Sequence, residues 1–355
     1  MKVLYFGTYD RVAPRNAQVI SCLRGAGVEV VERHRQVWGV QNWSLGVRQL
    51  SRVLRAERDL ARDEEREADV VVVGYPGHFD LRAARRIARG RPIVFNPLVS
   101  LHDTLVGDRK RFRPWSAAAR MLQLVDRRAF RGADLVVADT EAHAAFFRRS
   151  FGLPDDRVDV ALVGAEEALF RPGWQAAEPF QVLFVGKLIP LHGLDTILAA
   201  AALVPEIPFL VVGDGQLAPL LDDRPANVEH VEWIPYPELP AAYQRAGCAL
   251  GIFDTGPKAA RVIPNKVFQA LACACPVITA DTPASRELLV DGVDALLVSP
   301  GDPEALAHAV KRLAGSAELA TVLAEEGRAT YEGHASEAVL GARWRSILER
   351  VVAGR

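Results

Sequence analysis

Short apolar runs that end in glycine, each followed by a loop and then a helical pattern, recur along this chain and leave few architectures open to it. Phe180-Gln-Val-Leu-Phe-Val-Gly186 reads as a buried strand, 187–193 as a loop and 194–203 as a helix, and Pro208-Phe-Leu-Val-Val-Gly-Asp-Gly215 starts the same succession again. A third run, 276–280, leads through Thr282-Pro-Ala-Ser-Arg-Glu to Leu296-Leu-Val-Ser-Pro-Gly-Asp302 and a further helix. Strands alternating with helices predict a parallel α/β sheet covered on both faces, with its ligand beyond the carboxyl ends of the strands.

The first half repeats the pattern, with strands expected at 2–7, 28–31, 69–73, 92–95 and 134–138 and helices at 15–25, 46–67, 116–131 and 141–151. A chain of 355 residues exceeds what one core usually holds, and 50% apolar content is enough to build two. The turn-rich segment 170–179 is the expected hinge. Cys22, Cys248, Cys273 and Cys275 lack zinc spacing and read as small core residues of a reduced, cytoplasmic protein. Residues 1–7 read as a first strand rather than a signal peptide, and no apolar run approaches the ~20 residues of a membrane span. Membrane contact is therefore expected to be peripheral, on the inner face.

Val262-Ile-Pro-Asn-Lys-Val-Phe-Gln-Ala-Leu-Ala-Cys-Ala-Cys-Pro-Val-Ile278 places a helix directly before a buried strand. Asn265 is expected as its N-cap, Lys266, Val267 and Phe268 as its first turn, and Pro276 as its close. Unpaired N–H groups beside a lysine make an anion site. An ordinary surface helix followed by a core strand fits the same letters.

The order Gly-Lys-Leu-Ile-Pro-Leu-His-Gly, Val-Gly-Asp-Gly, Pro-Asn-Lys-Val-Phe-Gln-Ala-Leu-Ala-Cys, Pro-Val-Ile-Thr-Ala-Asp and Ser-Pro-Gly-Asp-Pro-Glu-Ala-Leu resembles the nucleotide-sugar half of the retaining GT-B glycosyltransferases of family four. The resemblance implies an α/β chain of two Rossmann-like, doubly wound domains facing a cleft. The first, 1–171, is the acceptor side; the second, 172–335, binds the nucleotide sugar; and the helix at 336–355 crosses back to the first. It also implies a nucleotide-diphosphate sugar as donor, an acceptor hydroxyl, no cofactor and no metal.

In such a site positive charge must neutralise the leaving diphosphate. Lys187 stands where the family has Arg and His192 where it has Lys, so one site loses a bidentate fork and the other is cationic only in a suitable environment. The chain has only six lysines, yet Lys187, Lys258 and Lys266 all fall in the implied donor loops. Lys187, Lys266 and His102 are the expected catalytic residues. Gly186, Gly213, Asp214, Gly215, Asn265 and Val267 are expected to line the donor.

The family's paired glutamates fall on Arg261 and Gln269. Gln269 is expected to contact the ribose without charge assistance, and Gln269→Glu to be tolerated or to improve donor affinity. Arg261 is either a phosphate contact or a solvated loop charge. Glu287 lies either on the nucleotide side or on a helix surface. On the acceptor side the expected residues are Arg15, Asn16, His78 and Asp103; for Asn16, a contact to phosphate or sugar oxygens at the start of its helix and a plain N-cap role are both open. His102 is expected to reach the donor sugar or the reacting centre, the reading favoured over a satisfied structural histidine.

Residues 82–131 hold thirteen Arg or Lys against three Asp, with Arg109, Lys110, Arg111 and Arg113 interleaved with Phe112 and Trp115. Such a strip suits an anionic membrane or a lipid-linked acceptor, or is a solvated arginine-rich face. With no nucleic-acid motif and a pI of about 6.7, no nucleic-acid partner is expected. The leading function is a retaining glycosyltransferase of glycolipid, polysaccharide or glycoconjugate synthesis. The alternatives are a non-catalytic nucleotide-sugar-binding module and a GT-B sugar-nucleotide epimerase.

Overall fold

The computed structural model describes residues 1–11, 13–37, 47–62, 67–175 and 179–354. The chain divides into two compact units, 1–162 with 337–355, and 163–336. Each is built on six parallel strands.

In the first unit the elements are β1 (Lys2–Gly7), α1 (Pro14–Gly25), β2 (Glu29–His34), α2 (Val47–Leu60), β3 (Val70–Val73), α3 (Leu81–Ala88), β4 (Ile93–Phe95), α4 (Ala117–Gly132), β5 (Leu135–Ala138), α5 (Glu141–Phe151) and β6 (Val158–Val160). The sheet order is β2-β1-β3-β4-β5-β6, with Val3 opposite Val70 and Val71 opposite Ile93. The helix expected at 46–67 is α2; residues 46 and 63–66 lie outside the described residues.

Because strand side chains alternate faces, the run of valines in β3 feeds two cores at once. Val70 and Val72 join Val3, Tyr5 and Val94 on one face, while Val71 and Val73 join Leu4, Phe6 and Phe95 on the other. The first face is covered by α1 through Val19 and Leu23, and by Trp344, Ile347 and Leu348 of the last helix. The second is covered by α3, by Phe130 of α4 and by Phe147 and Phe151 of α5.

The second unit comprises β7 (Val182–Val185), α6 (Leu194–Ala202), β8 (Phe209–Val212), β9 (Val228–Val231), α7 (Leu239–Arg245), β10 (Cys248–Leu250), α8 (Asn265–Ala272), β11 (Val277–Ala280), β12 (Leu296–Val298), α9 (Pro303–Ala314) and α10 (Ala317–His334); α11 (Glu337–Ala353) returns to the first unit. Its order, β12-β11-β10-β7-β8-β9, reverses direction between β7 and β10. That switch point is where doubly wound sheets take ligands. Of the turn-rich segment 170–179, residues 176–178 lie outside the described residues. Phe170 is fully buried against Tyr236 and Tyr243, and Trp174 Nε1 donates to Ala246 O at 2.6 Å. The start of that segment is thus fastened within the second unit.

All four cysteines are buried thiols. Among the described residues no helix is long and apolar enough to cross a membrane, and no cluster of three metal-ligating side chains occurs.

Candidate functional site

At the switch point the chain leaving β7 is tied to the chain leaving β8. Gly186 N donates to Val212 O at 2.9 Å, Leu188 N to Asp214 O at 3.0 Å and Leu217 N to Leu188 O at 2.8 Å. The approach is so close that a Cβ on Gly213, whose φ is +141°, would overlap the carbonyl oxygen of Gly186. Only glycine lets the two strand ends meet there. Gly215 is packed against the Leu188 backbone, and the exposed Asp214 accepts its N–H at 2.7 Å.

His192 closes the loop in a short 3-10 turn, 8% exposed, its ring edge-on to Phe184 at 5.5 Å. Lys187 stays exposed at the mouth of the same loop.

Helix α8 brings the decisive charge. Its N-cap is Pro264, and no side chain caps the first turn; Asn265 is the first helical residue rather than the cap. Proline fits there because its extended ψ of 151° turns the chain into the helix. Lys266, next in line, is 7% exposed, and its Nζ has no hydrogen-bond acceptor among the described residues. The ammonium sits 3.7 Å from the Phe184 ring centroid. A Cβ on Gly186 would stand 2.8 Å from Nζ and 3.0 Å from Cε1 of His192, so these three residues share one spot.

Burial pushes the Lys266 amine well below its ordinary 10.5. A cation–π contact is worth about 2 kcal/mol when desolvated, while stripping water from an ammonium costs several. An anion at the uncapped start of α8 would settle that difference.

The other expected donor residues lie before, within and after α8 in the chain. Lys258 is 7% exposed and caps the short turn Ala259–Arg261, where Arg261 is half-buried. Val267 is buried and its N–H goes to Pro264 O at 3.0 Å, so it lines the core rather than a ligand. Glu287 is exposed at the end of the turn Ser285–Glu287, whose Ser285 is buried.

Gln269 is 6% exposed and built into a polar chain. Tyr243 OH donates to its Oε1 at 3.3 Å, its Nε2 donates to Tyr236 OH at 3.4 Å, and Tyr236 OH donates to Glu166 Oε1 at 3.1 Å. An amide suits this place because it both accepts and donates. A glutamate would oppose an oxygen to the Tyr236 oxygen, whose only proton is given to Glu166. The expectation that Gln269→Glu is harmless meets this obstacle.

In the first unit the expected residues separate into two groups. Arg15 is 1% exposed and uses its guanidinium internally: Nε on Asn96 Oδ1 at 3.1 Å, Nη1 on Leu162 O at 2.7 Å and Nη2 on Ala161 O at 3.0 Å. Asn16 accepts from Tyr5 OH and Tyr75 N, and donates to Asp10 O and Tyr75 O, all within 2.6–2.9 Å. Arg15 fastens the start of α1 to the chain just after β4 and β6, Asn16 fastens it to the chain after β1 and β3, and neither caps α1, whose N-cap is Ala13. Their polar groups are spent on the fold.

The second group surrounds Asp126 of α4, which is fully buried. It accepts from Ser100 Oγ at 2.7 Å, Leu101 N at 3.0 Å and His102 N at 2.9 Å, and lies 3.5 Å from Nε2 of His78. Ser100 Oγ in turn accepts from Asp103 N at 3.0 Å. His102 itself remains half-exposed at the entry to a π-helical turn, Asp103–Asp108. His78 is 5% exposed, with its ring against the carbonyls of Pro76 and Val99, and burial lowers its pKa despite Asp126. His78 is a structural partner of this turn, whereas His102 is presented by it.

Two family descriptions match: a glycosyl transferase 4-like domain over 6–164, and glycosyl transferases group 1 over 179–316. Together with the paired parallel sheets they decide the matter. The chain belongs to the family-four type of GT-B glycosyltransferases. Among curated relatives of this chain, D-inositol 3-phosphate glycosyltransferase of Segniliparus rotundus is 28% identical over 230 residues, 59% of this chain and 48% of the relative. The same enzyme of a Mycobacterium species, strain JLS, is 29% identical over 198 residues, 51% of this chain and 45% of the relative. The chain thus spans about half the length of these relatives.

Two solved structures share the GT-B fold. Sucrose-phosphate synthase from Thermosynechococcus elongatus has a TM-score of 0.77 at 17% identity, covering 100% of this chain and 99% of that one. Anabaena HepE in complex with UDP-glucose has a TM-score of 0.71 at 18% identity, covering 98% and 99%.

Sequence reasoning missed Phe184 beneath Lys266, Asp126 beneath His102, and the Glu166–Tyr236 pair beside Gln269. Phe184 and Asp126 read as ordinary core and helix positions in the letters, and only the fold brings their partners to them.

Proposed function

We propose that the chain transfers a sugar from a nucleotide-diphosphate sugar to an acceptor hydroxyl, with retention. The carrying observation is Lys266, a buried ammonium without an acceptor among the described residues, at the uncapped start of α8 beside Gly186 and His192. Growing charge on the departing diphosphate is taken up by Lys266, Lys187 and the first-turn N–H groups, with His192 joining when protonated. Neither metal nor cofactor enters this reading: the cations of the loops occupy the part a metal would play. Retention and the role of His102 at the reacting sugar rest on the family resemblance. HepE, a structural neighbour, was solved with UDP-glucose, which supports a nucleotide sugar as the donor class.

The acceptor in this reading is lipid-linked or membrane-proximal and serves glycolipid, polysaccharide or glycoconjugate synthesis, with the protein peripheral on the cytoplasmic face. Support comes from Arg109, Lys110, Arg111 and Arg113 around Phe112, and from Trp115, which is 81% exposed. Polybasic segments gain about 1 kcal/mol per cation near an anionic surface. Wild type is expected to pellet with anionic vesicles at low salt, and a variant with these four cations changed to Gln to remain in solution.

A thermal-shift panel of nucleoside diphosphates tests the donor site. A ligand at a hundred times its Kd adds about 2.7 kcal/mol of stability, and no shift with any diphosphate would reject the reading. Binding without turnover over a range of acceptors would point instead to a nucleotide-sugar-binding module.

A further inference from the structure

At the ends of α3, α4 and α5, where β4 and β5 begin, the first unit carries a groove of about 540 Å³ lined by Arg85, Arg91, Arg131, Arg157 and Asp134, with backbone of residues 88–93 and 132–133 between them. Elsewhere arginines meet carboxylates: Arg11 and Arg24 at Glu32, Arg286 at Asp281, Arg343 and Arg350 at Asp159. Arg85, Arg131 and Arg157 of the groove are held by carbonyls instead. Arg85 Nε donates to Gly132 O at 2.9 Å, Arg131 Nε to Phe151 O at 2.7 Å, and Arg157 Nε to Asp134 O at 3.3 Å, with Arg157 Nη2 also on Ala133 O. Among the described residues no carboxylate pairs with the guanidinium of Arg85, Arg131 or Arg157. The Nη groups of Arg85 and Arg131 likewise meet no acceptor there.

Capping of helix ends explains part of this. Each helix C-terminus carries roughly half a negative charge, so a carbonyl-held guanidinium such as that of Arg85 or Arg131 is offset only in part. Carbonyl bonds on one edge also hold each fork in place, which lowers the entropy cost of receiving a ligand on the other edge. Guanidinium forks match phosphate oxygens pairwise, and a groove of this volume is of small-molecule rather than single-ion size.

We infer that this groove binds an anion carrying two or more phosphate groups, free or as a phospholipid headgroup. The site belongs to the first unit and is independent of Lys266 in the second.

Isothermal titration with inorganic tripolyphosphate at low salt, on wild type and on a Lys266→Met background, is expected to show binding that survives loss of Lys266. In the double variant Arg85→Gln/Arg131→Gln, whose replaced side chains are exposed and whose fold is checked by circular dichroism, affinity should fall at least tenfold. Co-sedimentation separates the sources. Pelleting with vesicles of phosphatidylcholine plus a bisphosphorylated inositol lipid, lost in the double variant, assigns a headgroup; tripolyphosphate binding without pelleting assigns a free anion. Unchanged binding of both probes by the double variant, or no binding of either by wild type, overturns the inference.

Discussion

Lys266 Nζ lies 3.7 Å from the Phe184 ring centroid, so a helix residue after β10 rests its charge on a side chain of β7 across the switch point. Nothing else among the described residues takes that ammonium's protons. The contact couples the stability of the second unit to what occupies the space in front of α8.

Lys266→Met should therefore separate stability from activity. Removing a desolvated, unpaired cationic group while keeping the apolar stem is expected to raise the unfolding free energy measured in urea by about 1 kcal/mol or more. Turnover should fall roughly a hundredfold, as for loss of one oxyanion-type donor. A variant with lower stability and ordinary turnover would show that Lys266 is only a core residue.

The same group gives a pH dependence of known sign. Its folded pKa lies well below 10.5, so between those two values the unfolded chain binds more protons than the folded one, and stability rises with pH. The difference in unfolding free energy between wild type and Lys266→Met should shrink as pH rises toward 10. When a diphosphate binds, the amine gains an anionic partner that favours its charged form and raises its pKa again, which links binding to proton uptake. Titrations in two buffers of different ionisation enthalpy should then differ in heat, and should not differ for Lys266→Met.

Gln269→Glu is expected to destabilise by about 1–3 kcal/mol, because the Tyr236 oxygen loses its donor and faces a carboxylate already competing with Glu166. Adding Glu166→Gln should recover part of the loss, since the Tyr236 proton is then free to turn toward residue 269. A double-mutant cycle by urea unfolding measures this coupling. Additive effects would mean that the polar chain carries no energy.

Asp126→Ala strands three donors, from Ser100, Leu101 and His102, in a buried place. A loss of about 3 kcal/mol or more is expected. Asp126→Asn keeps an acceptor oxygen and should lose less. Faster amide hydrogen exchange at 101–103 than in the rest of the first unit would locate the effect in this turn.

Much of the architecture could be read from the letters. Valine runs such as 70–73, bounded by glycine and followed by helical spacing, can bury both faces only in a parallel sheet, and the strands at 182–185 and 277–280 formed where their patterns lay. Glycines at 186 and 213 marked the strand ends where backbones approach. The Pro-Asn-Lys start of α8 was legible as a helix entrance because capping is local, although the cap itself shifted by one residue to Pro264. Residue roles were less legible. Arg15 and Asn16 looked like ligand contacts from their place after β1, yet their partners, Asn96, Tyr75, Ala161 and Leu162, come from segments just beyond strands distant in sequence. The same holds for Asp126 beneath His102 and Phe184 beneath Lys266. Local spacing determined which elements form and in what order, because helix and strand periodicity act over a few residues. Only the tertiary structure decided which polar groups are spent on one another and which remain to meet a ligand, because hydrogen bonds and desolvation depend on neighbours that the chain brings together from afar.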